Sequence, residues 1–309
     1  MSILVGKDTT LIIQGATGKS GQVHVKRYLD AGYKIRAGVT PGKGGQQVHG
    51  IPIYDSVADA VKAHPDVNST LILTPPSAVR SAAMEAVNAG VALIVISTEW
   101  VPVNDTLDIV TSARKKGLRV VGPNTVGVIS PGQGMCGIMP INIYGPSGHV
   151  GLVSRSGTLT HENSSNLYFA GYGLSTCVGI GGDPIRGMNH KEVLELFRDD
   201  EQTKLVVMIG EIGGGSEEEA AKYIKETNYP KPVVAFIAGT QAPEGKNMGH
   251  AGAIVSGGLG SAKAKAQILA DAGVRVARTI GEIVELVAEE DAKLGYVLKT
   301  CEPIVNTHI

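Results

Sequence analysis

Leu11-Ile12-Ile13-Gln14-Gly15-Ala16-Thr17-Gly18-Lys19-Ser20-Gly21 decides the fold. Leu11 to Gln14 is apolar without alternation, as expected of a strand covered on both faces in a parallel sheet. Gly15, Gly18 and Gly21 form the turn after it. Gln22 to Ala31 reads as a helix ended by Gly32. Glycines between a strand and a helix leave backbone amides free at the helix N-terminus, where a phosphate binds well. Gly18-Lys19-Ser20 is not a Walker A loop, because that motif needs glycine at position 13, which is Ile13. A dinucleotide fold also wants an acidic residue near the end of the second strand. Arg36-Ala37-Gly38-Val39-Thr40 has none, which argues against a free ribose diol.

The same alternation continues outward. Strands are expected at 34–39, 51–54, 70–74, 91–96 and 118–121, with helices at 56–63, 78–88 (capped by Ser77) and 106–115. The stretch from Gly127 to Gly148 is rich in Gly and Pro and reads as a long connection. A second unit restarts at His149 to Val153. Further strands are expected at 175–179, 205–209, 232–237 and 274–276, with helices from 158 to about 170, at 191–197, at 216–226 (capped by Ser216), at 262–271 and at 280–289. Glu217, Glu218 and Glu219 would favour the positive end of their helix. The division is 1–126 and 127–309.

Composition narrows the function. The 309 residues are 43% hydrophobic and 18% charged, which suits globular domains rather than disorder. With 28 basic and 29 acidic residues there is no global field for nucleic acid or anionic membrane. Cys136, Cys177 and Cys301 are far apart and odd in number, so neither a disulfide framework nor a metal motif is expected. No apolar run reaches the length of a membrane span, and residues 1–9 lack a signal-like apolar run; a cytoplasmic location follows as the expectation.

Three more segments carry chemistry. Thr40-Pro41-Gly42-Lys43-Gly44-Gly45 puts a lysine where the acidic residue should stand, which suits a phosphorylated ribose, or else is a solvated lysine in a glycine turn. Ser154-Arg155-Ser156-Gly157-Thr158 lies between a strand and a helix and is a second anion site, or an ordinary cap. Gly249-His250-Ala251-Gly252-Ala253 sets an imidazole among small residues, and an imidazole can accept a phosphoryl group. Glu211 ends an apolar strand and is a candidate to orient His250. His24, His49, His64, His190 and His308 read as surface residues.

Taken together these strings, with Gly179-Ile180-Gly181-Gly182-Asp183-Pro184 and Gly210-Glu211-Ile212-Gly213-Gly214, resemble the alpha subunits of succinyl-CoA synthetases, from Ile13 to about Val287. The resemblance implies an N-terminal Rossmann-like CoA-binding domain, then a flavodoxin-like α/β domain. It implies a transient phosphohistidine at His250, oriented by Glu211. Coenzyme A contacts would fall on Gly15, Thr17, Gly18, Lys19, Ser20, Thr40, Pro41, Lys43, Ile96 and Glu99, and the phosphate loop on Ser156, Gly157 and Thr158. A beta subunit of ATP-grasp fold would bring ATP or GTP and Mg2+, and no metal is expected on this chain. Phosphoryl transfer would run from nucleotide to His250, then to a carboxylic acid, and CoA would displace phosphate from the acyl phosphate.

Some positions depart from that pattern. Asn124-Thr125-Val126-Gly127 replaces the usual Asn-Cys-Pro-Gly and looks like the citrate-using relatives. Thr160-His161-Glu162 replaces Thr-Tyr-Glu, and Trp100-Val101 replaces Gly-Ile. Asn124, Thr125 and His161 are therefore candidates for the acid site, with Asn163 and Arg80 as further polar partners. The expected acid is citrate, with succinate the alternative. A CoA- or dinucleotide-binding protein without phosphohistidine chemistry is the remaining reading.

Overall fold

β1 (Leu11–Gln14) is buried along its whole length. The computed structural model describes residues 2–243, 245, 248–254 and 260–295. After β1 come α1 (Lys19–Asp30), β2 (Ile35–Val39), β3 (Gln47–Val48), β4 (Ile51–Tyr54), α2 (Val57–Ala63), β5 (Ser69–Ile72), α3 (Pro76–Ala89), β6 (Leu93–Ile96), α4 (Val103–Lys115) and β7 (Arg119–Val121). They form one seven-stranded sheet in the order β3-β4-β2-β1-β5-β6-β7, parallel except at the β3–β4 edge. The second half holds β8 (Gly127–Ser130), β9 (Gly134–Gly137), β10 (Ser147–Ser154), α5 (Gly157–Phe169), β11 (Leu174–Gly179), α6 (His190–Asp199), β12 (Leu205–Glu211), α7 (Ser216–Thr227), β13 (Val233–Ala238), α8 (Ala262–Asp271), β14 (Arg275–Ala277) and α9 (Ile280–Lys293). Its sheet runs β14-β13-β12-β10-β11-β8-β9.

The connection expected at Gly127 to Gly148 is in part an antiparallel hairpin, β8–β9, that extends the second sheet beside β11. Gly134-Met135-Cys136-Gly137 has no β-branched residue, so local preference did not mark it; burial of Met135 and Cys136 does the work. The same hairpin joins the two halves. The Tyr28 hydroxyl on α1 donates to Gly137 O at 2.8 Å and accepts from Gly137 N–H at 2.7 Å. Cys136 Sγ lies 3.5 Å from Thr70 O on β5. One hydrophobic core accordingly runs through Leu11, Ile13 and Tyr28 into Val128, Met135 and Leu152.

Two expected caps are absent. α3 starts at Pro76, where the fixed φ of proline suits a first helical residue, and Ser77 makes no cap. α7 starts at Ser216 itself, and the Ser216 hydroxyl instead accepts the backbone N–H of His190 at 3.2 Å. Cys136 and Cys177 are buried free thiols; Cys301 and His308 lie outside the described residues. Among the described residues no helix is long and apolar enough to cross a membrane.

In each sheet the order in which strands are added reverses beside the central strand: between the parallel pair β1 and β5 in the first, between the parallel pair β10 and β12 in the second. Open parallel sheets place ligands outside the carboxyl ends of strands at such a reversal.

Candidate active site

At the second reversal β10 ends on Ser154 and β12 on Glu211, with Ser154 paired to Ile209. The chain leaves β10 through Arg155 into α5, whose N-cap Ser156 accepts from Leu159 N–H at 3.3 Å. The backbone amides of the first turn of α5, at Gly157 and Thr158, therefore face the carboxyl edge of the sheet. A turn at 248–254 closes over this edge, held by Met248 N–H to Ala253 O at 3.0 Å and Ala253 N–H to His250 O at 2.9 Å. It sets His250 Nδ1 2.8 Å from Glu211 Oε2. The ring lies on Gly182, where a Cβ would stand 2.4 Å from His250 Cγ.

That bond decides the chemistry of the imidazole. A carboxylate on Nδ1 holds a proton there and leaves the Nε2 lone pair free as a nucleophile. Hydrogen bonding to Glu211 raises the His250 pKa above its ordinary value; partial burial and Arg155 oppose the rise, and Asp183 adds to it. Asp183 is itself pushed up by burial, against a 3.1 Å hydrogen bond from Asn124 Nδ2.

Beneath the pair lies a buried charge cluster. Arg155 is 2% exposed, and its NH2 is 3.1 Å from Glu211 Oε1. Glu217 is fully buried and ion-pairs with Arg155 at 3.2 Å and with Lys265. Burial opposes its ionisation, yet the positive groups around it win and hold the carboxyl at about 2. His190, Arg155 and Lys265 are the sources of that effect; burial drives the pKa of His190 itself down to about 4, so its ring is neutral near pH 7. His190 is thus no surface residue: its ring nitrogens meet the Ser216 hydroxyl at 2.9 Å and Ile209 O at 3.1 Å. His24 is likewise buried. Glu217 was legible only as a helix-dipole partner, and Arg155 and Lys265 carried no assigned role; pairing across the chain is what places them.

The closeness of Gly182 gives a test. Gly182→Ala is expected to push His250 off Glu211 and, if the pair is catalytic, to cut turnover by about 10²-fold, the scale of a misplaced reacting group. Thermal unfolding in parallel should show a loss of only about 1–3 kcal/mol, as for overpacking. Full turnover in a folded variant would show that the His250–Glu211 contact is not used.

At the first reversal the loop after β1 meets the loop after β2, where Thr17 Oγ1 donates to Thr40 Oγ1 at 3.2 Å. Gly21 lets α1 pack close, since a Cβ there would lie 2.3 Å from Gly15 O. Pro41, Lys43, Gly18, Lys19 and Ser20 are exposed around these loops. A cleft of about 580 Å³ opens beside them, lined among others by Ser20, Thr98, Glu99, Trp100, Asn124 and Gly157. It connects the α1 loop to the start of α5. Lys19 points instead into a separate cleft with Lys26 and Arg27. The Ile96 side chain is fully buried in the core, so only its backbone can face a ligand.

The remaining candidates have internal partners. The Thr125 hydroxyl donates to Gly179 O and accepts from Gly127 N–H at 2.9 Å. His161 Nδ1 pairs with the Tyr144 hydroxyl at 2.7 Å, and burial lowers its pKa. Asn163 Nδ2 donates to Leu159 O at 2.8 Å, and Arg80 pairs with Asp108 at 3.0 Å. Asn124 lines the cleft and bonds Asp183.

Known proteins share this layout. The family model for CoA-binding domains matches residues 6–100, and that for CoA-ligases matches residues 153–275. The chain is 51% identical to "Succinate--CoA ligase [ADP-forming] subunit alpha 2" of Archaeoglobus fulgidus, over 94% of this chain and 99% of that protein. This chain belongs to the succinate–CoA ligase alpha-subunit family. An alpha subunit of Aquifex aeolicus is 49% identical over 94% of each chain. Among solved structures, ATP citrate lyase from Methanothrix soehngenii superposes with TM-score 0.87 at 26% identity, over 97% of this chain. This chain spans about half, 53%, of that protein. As a family member it is an acid–thiol ligase with a CoA-binding domain ahead of a ligase domain. The relatives named for succinate are about twice as identical to it as the citrate enzyme, so the succinate alternative has more support than the expected citrate.

Proposed function

We propose that this chain is the alpha subunit of an ADP-forming succinate–CoA ligase and that His250 carries the phosphoryl group between two sites. The observation that carries the proposal is the 2.8 Å contact between His250 Nδ1 and Glu211 at the strand reversal of the ligase domain. Glu211 keeps the proton on Nδ1, so Nε2 presents a lone pair to the terminal phosphoryl group of a nucleotide. The developing charge on the phosphoryl oxygens is met by amides of the first turn of α5, at Gly157 and Thr158. No proton has to move from Nε2 for the transfer, which makes the neutral imidazole the reactive form.

The partner is a beta subunit of ATP-grasp fold, which brings the nucleotide and Mg2+. The cleft beside the α1 loop fits coenzyme A: Ser20 at the start of α1 lines it, and it runs toward Asn124 and Gly157 for a long flexible arm, while Lys43 is exposed on the loop after β2 for phosphates. Thr17, Ser20 and Thr40 would hold the phosphate end, and the Ser97–Glu99 segment the arm. Coenzyme A when bound supplies the thiol that takes the acyl group. Succinate is the acid, and the internal hydrogen bonds of Thr125, His161 and Asn163 account for those departures as repacking. The complex with its beta subunit is expected to release ADP with succinate and CoA, and several-fold faster than with citrate or malate; preferential turnover of citrate would overturn the choice of acid.

Trp100 reports on the cleft. It is the only tryptophan in the chain, lies 71% exposed and lines the cleft wall. Coenzyme A is expected to change its emission, and Trp100→Phe to remove that change. Calorimetric binding of CoA with no Trp100-dependent signal would place CoA elsewhere.

A further inference from the structure

Glu211 has two oxygens, and His250 uses one. Oε2 meets the imidazole at 2.8 Å, and Oε1 lies 3.1 Å from Arg155 NH2. The Arg155–Oε1 contact is an ion pair without an aligned N–H, so it holds the carboxylate by charge, while Oε2 makes the directed hydrogen bond to His250. Arg155 is in turn gripped from below. Its NH1 donates to Gly213 O at 2.8 Å and to Glu217 Oε1 at 3.2 Å. Glu217 Oε1 also accepts the backbone N–H of Glu211 at 3.1 Å, and Lys265 donates to Glu217 and, at 2.8 Å, to Gly213 O. Two buried cations and two carboxylates thus interleave, with His250 at the open end. A planar guanidinium reaches two carboxylates through a fixed fork of donors, a geometry that a lysine ammonium does not reproduce.

A cluster of this kind is costly to bury and adds little net stability compared with apolar packing. Its geometric product is the direction of one carboxylate. We propose that Arg155, anchored by Glu217 and Lys265, is the positioning residue that aims Glu211 at His250 Nδ1, so that the ring proton stays on Nδ1 and Nε2 faces the phosphoryl group as the nucleophile. The proposal rests on the phosphohistidine reading above. Arg155 lies one residue before the N-cap of α5, so the same side chain ties the amide-bearing loop to the carboxylate that orients the histidine. The charged groups facing His250 are Glu211 from β12, Arg155 from the loop after β10 and Asp183 from the turn after β11. Glu211 and Asp183 favour the imidazolium, and Arg155 opposes it.

The test measures the rate of His250 phosphorylation by labelled ATP, across pH, in the complex with the beta subunit. In Arg155→Met the rate is expected to fall by about 10²-fold, the scale of a lost acid–base contribution. The acid limb should move to lower pH, because a Glu211 that is no longer aimed loses the hydrogen bond that does most to raise the His250 pKa. Arg155→Lys keeps the charge but not the fork, so its rate should stay low and its limb should also lie below the wild-type position. Glu217→Gln should lower the rate with a smaller displacement of the limb. Arg155→Met at the wild-type rate, or slowed with an unmoved limb, overturns the proposal, the second outcome meaning a purely structural side chain. Should Arg155→Met fail to fold, Arg155→Lys decides: wild-type rate there refutes the need for a spanning guanidinium. Absence of label on His250 in the wild-type complex is a different result, and overturns the phosphohistidine reading itself.

Discussion

His250→Asn is expected to leave a folded alpha subunit that takes no phosphoryl group and supports less than about 10⁻⁴ of wild-type turnover, since it removes a covalent pathway rather than one contact. Asparagine has the size to fill the space over Gly182 but no nitrogen lone pair to offer. The His250 side chain is 25% exposed, and Glu211 keeps Arg155 as a partner, so stability should change by only about 1 kcal/mol. Turnover with thermal unfolding checks both halves. Residual turnover of a few per cent would mean direct transfer from nucleotide to acid, and His250 would be a spectator.

Glu211→Gln should cost nearly as much for a different reason. Arg155 is a pure donor beside Oε1, so the glutamine carbonyl turns to Arg155 and its amide group to His250. The amide then donates to Nδ1, which forces the proton onto Nε2 and removes the nucleophile. A wrong tautomer in a serine-protease triad costs about 10⁴-fold, and a loss of about 10³ to 10⁴ is expected here. The sign of the pH effect is fixed too. Glu211 raises the His250 pKa, so its loss lowers that pKa, and the acid limb of the remaining activity moves to lower pH. A limb that stays in place, or an activity within tenfold of wild type, would mean that Glu211 only packs against the ring.

The repetition of apolar strand and glycine turn made both α/β units legible, because a strand buried on two faces leaves an unbroken apolar run and the turn after it needs positive φ or close approach. Gly15 at φ 84° and Gly21 against Gly15 O are such cases. The β8–β9 hairpin was not legible, since its four-residue strands carry glycine at one or both ends and gain their order from Tyr28 and Thr70 across the chain. In the site, His250 and Glu211 stood out as a nucleophile among small residues and a carboxylate at a strand end. Arg155, Glu217 and Lys265 did not, because a charged residue in a sequence looks solvated until its partner is known. Gly182 is a similar case: its lack of a side chain matters only once the ring that rests on it is in view.

On the proposed mechanism His250 hands a phosphoryl group to succinate. The most direct measurement loads the complex with γ-labelled ATP, maps the label by peptide mass, and then adds succinate with CoA or citrate with CoA. Stoichiometric, acid-labile label is expected on the His250 peptide, discharged by succinate with CoA and retained with citrate. Label on another residue, or discharge by citrate alone, would contradict it.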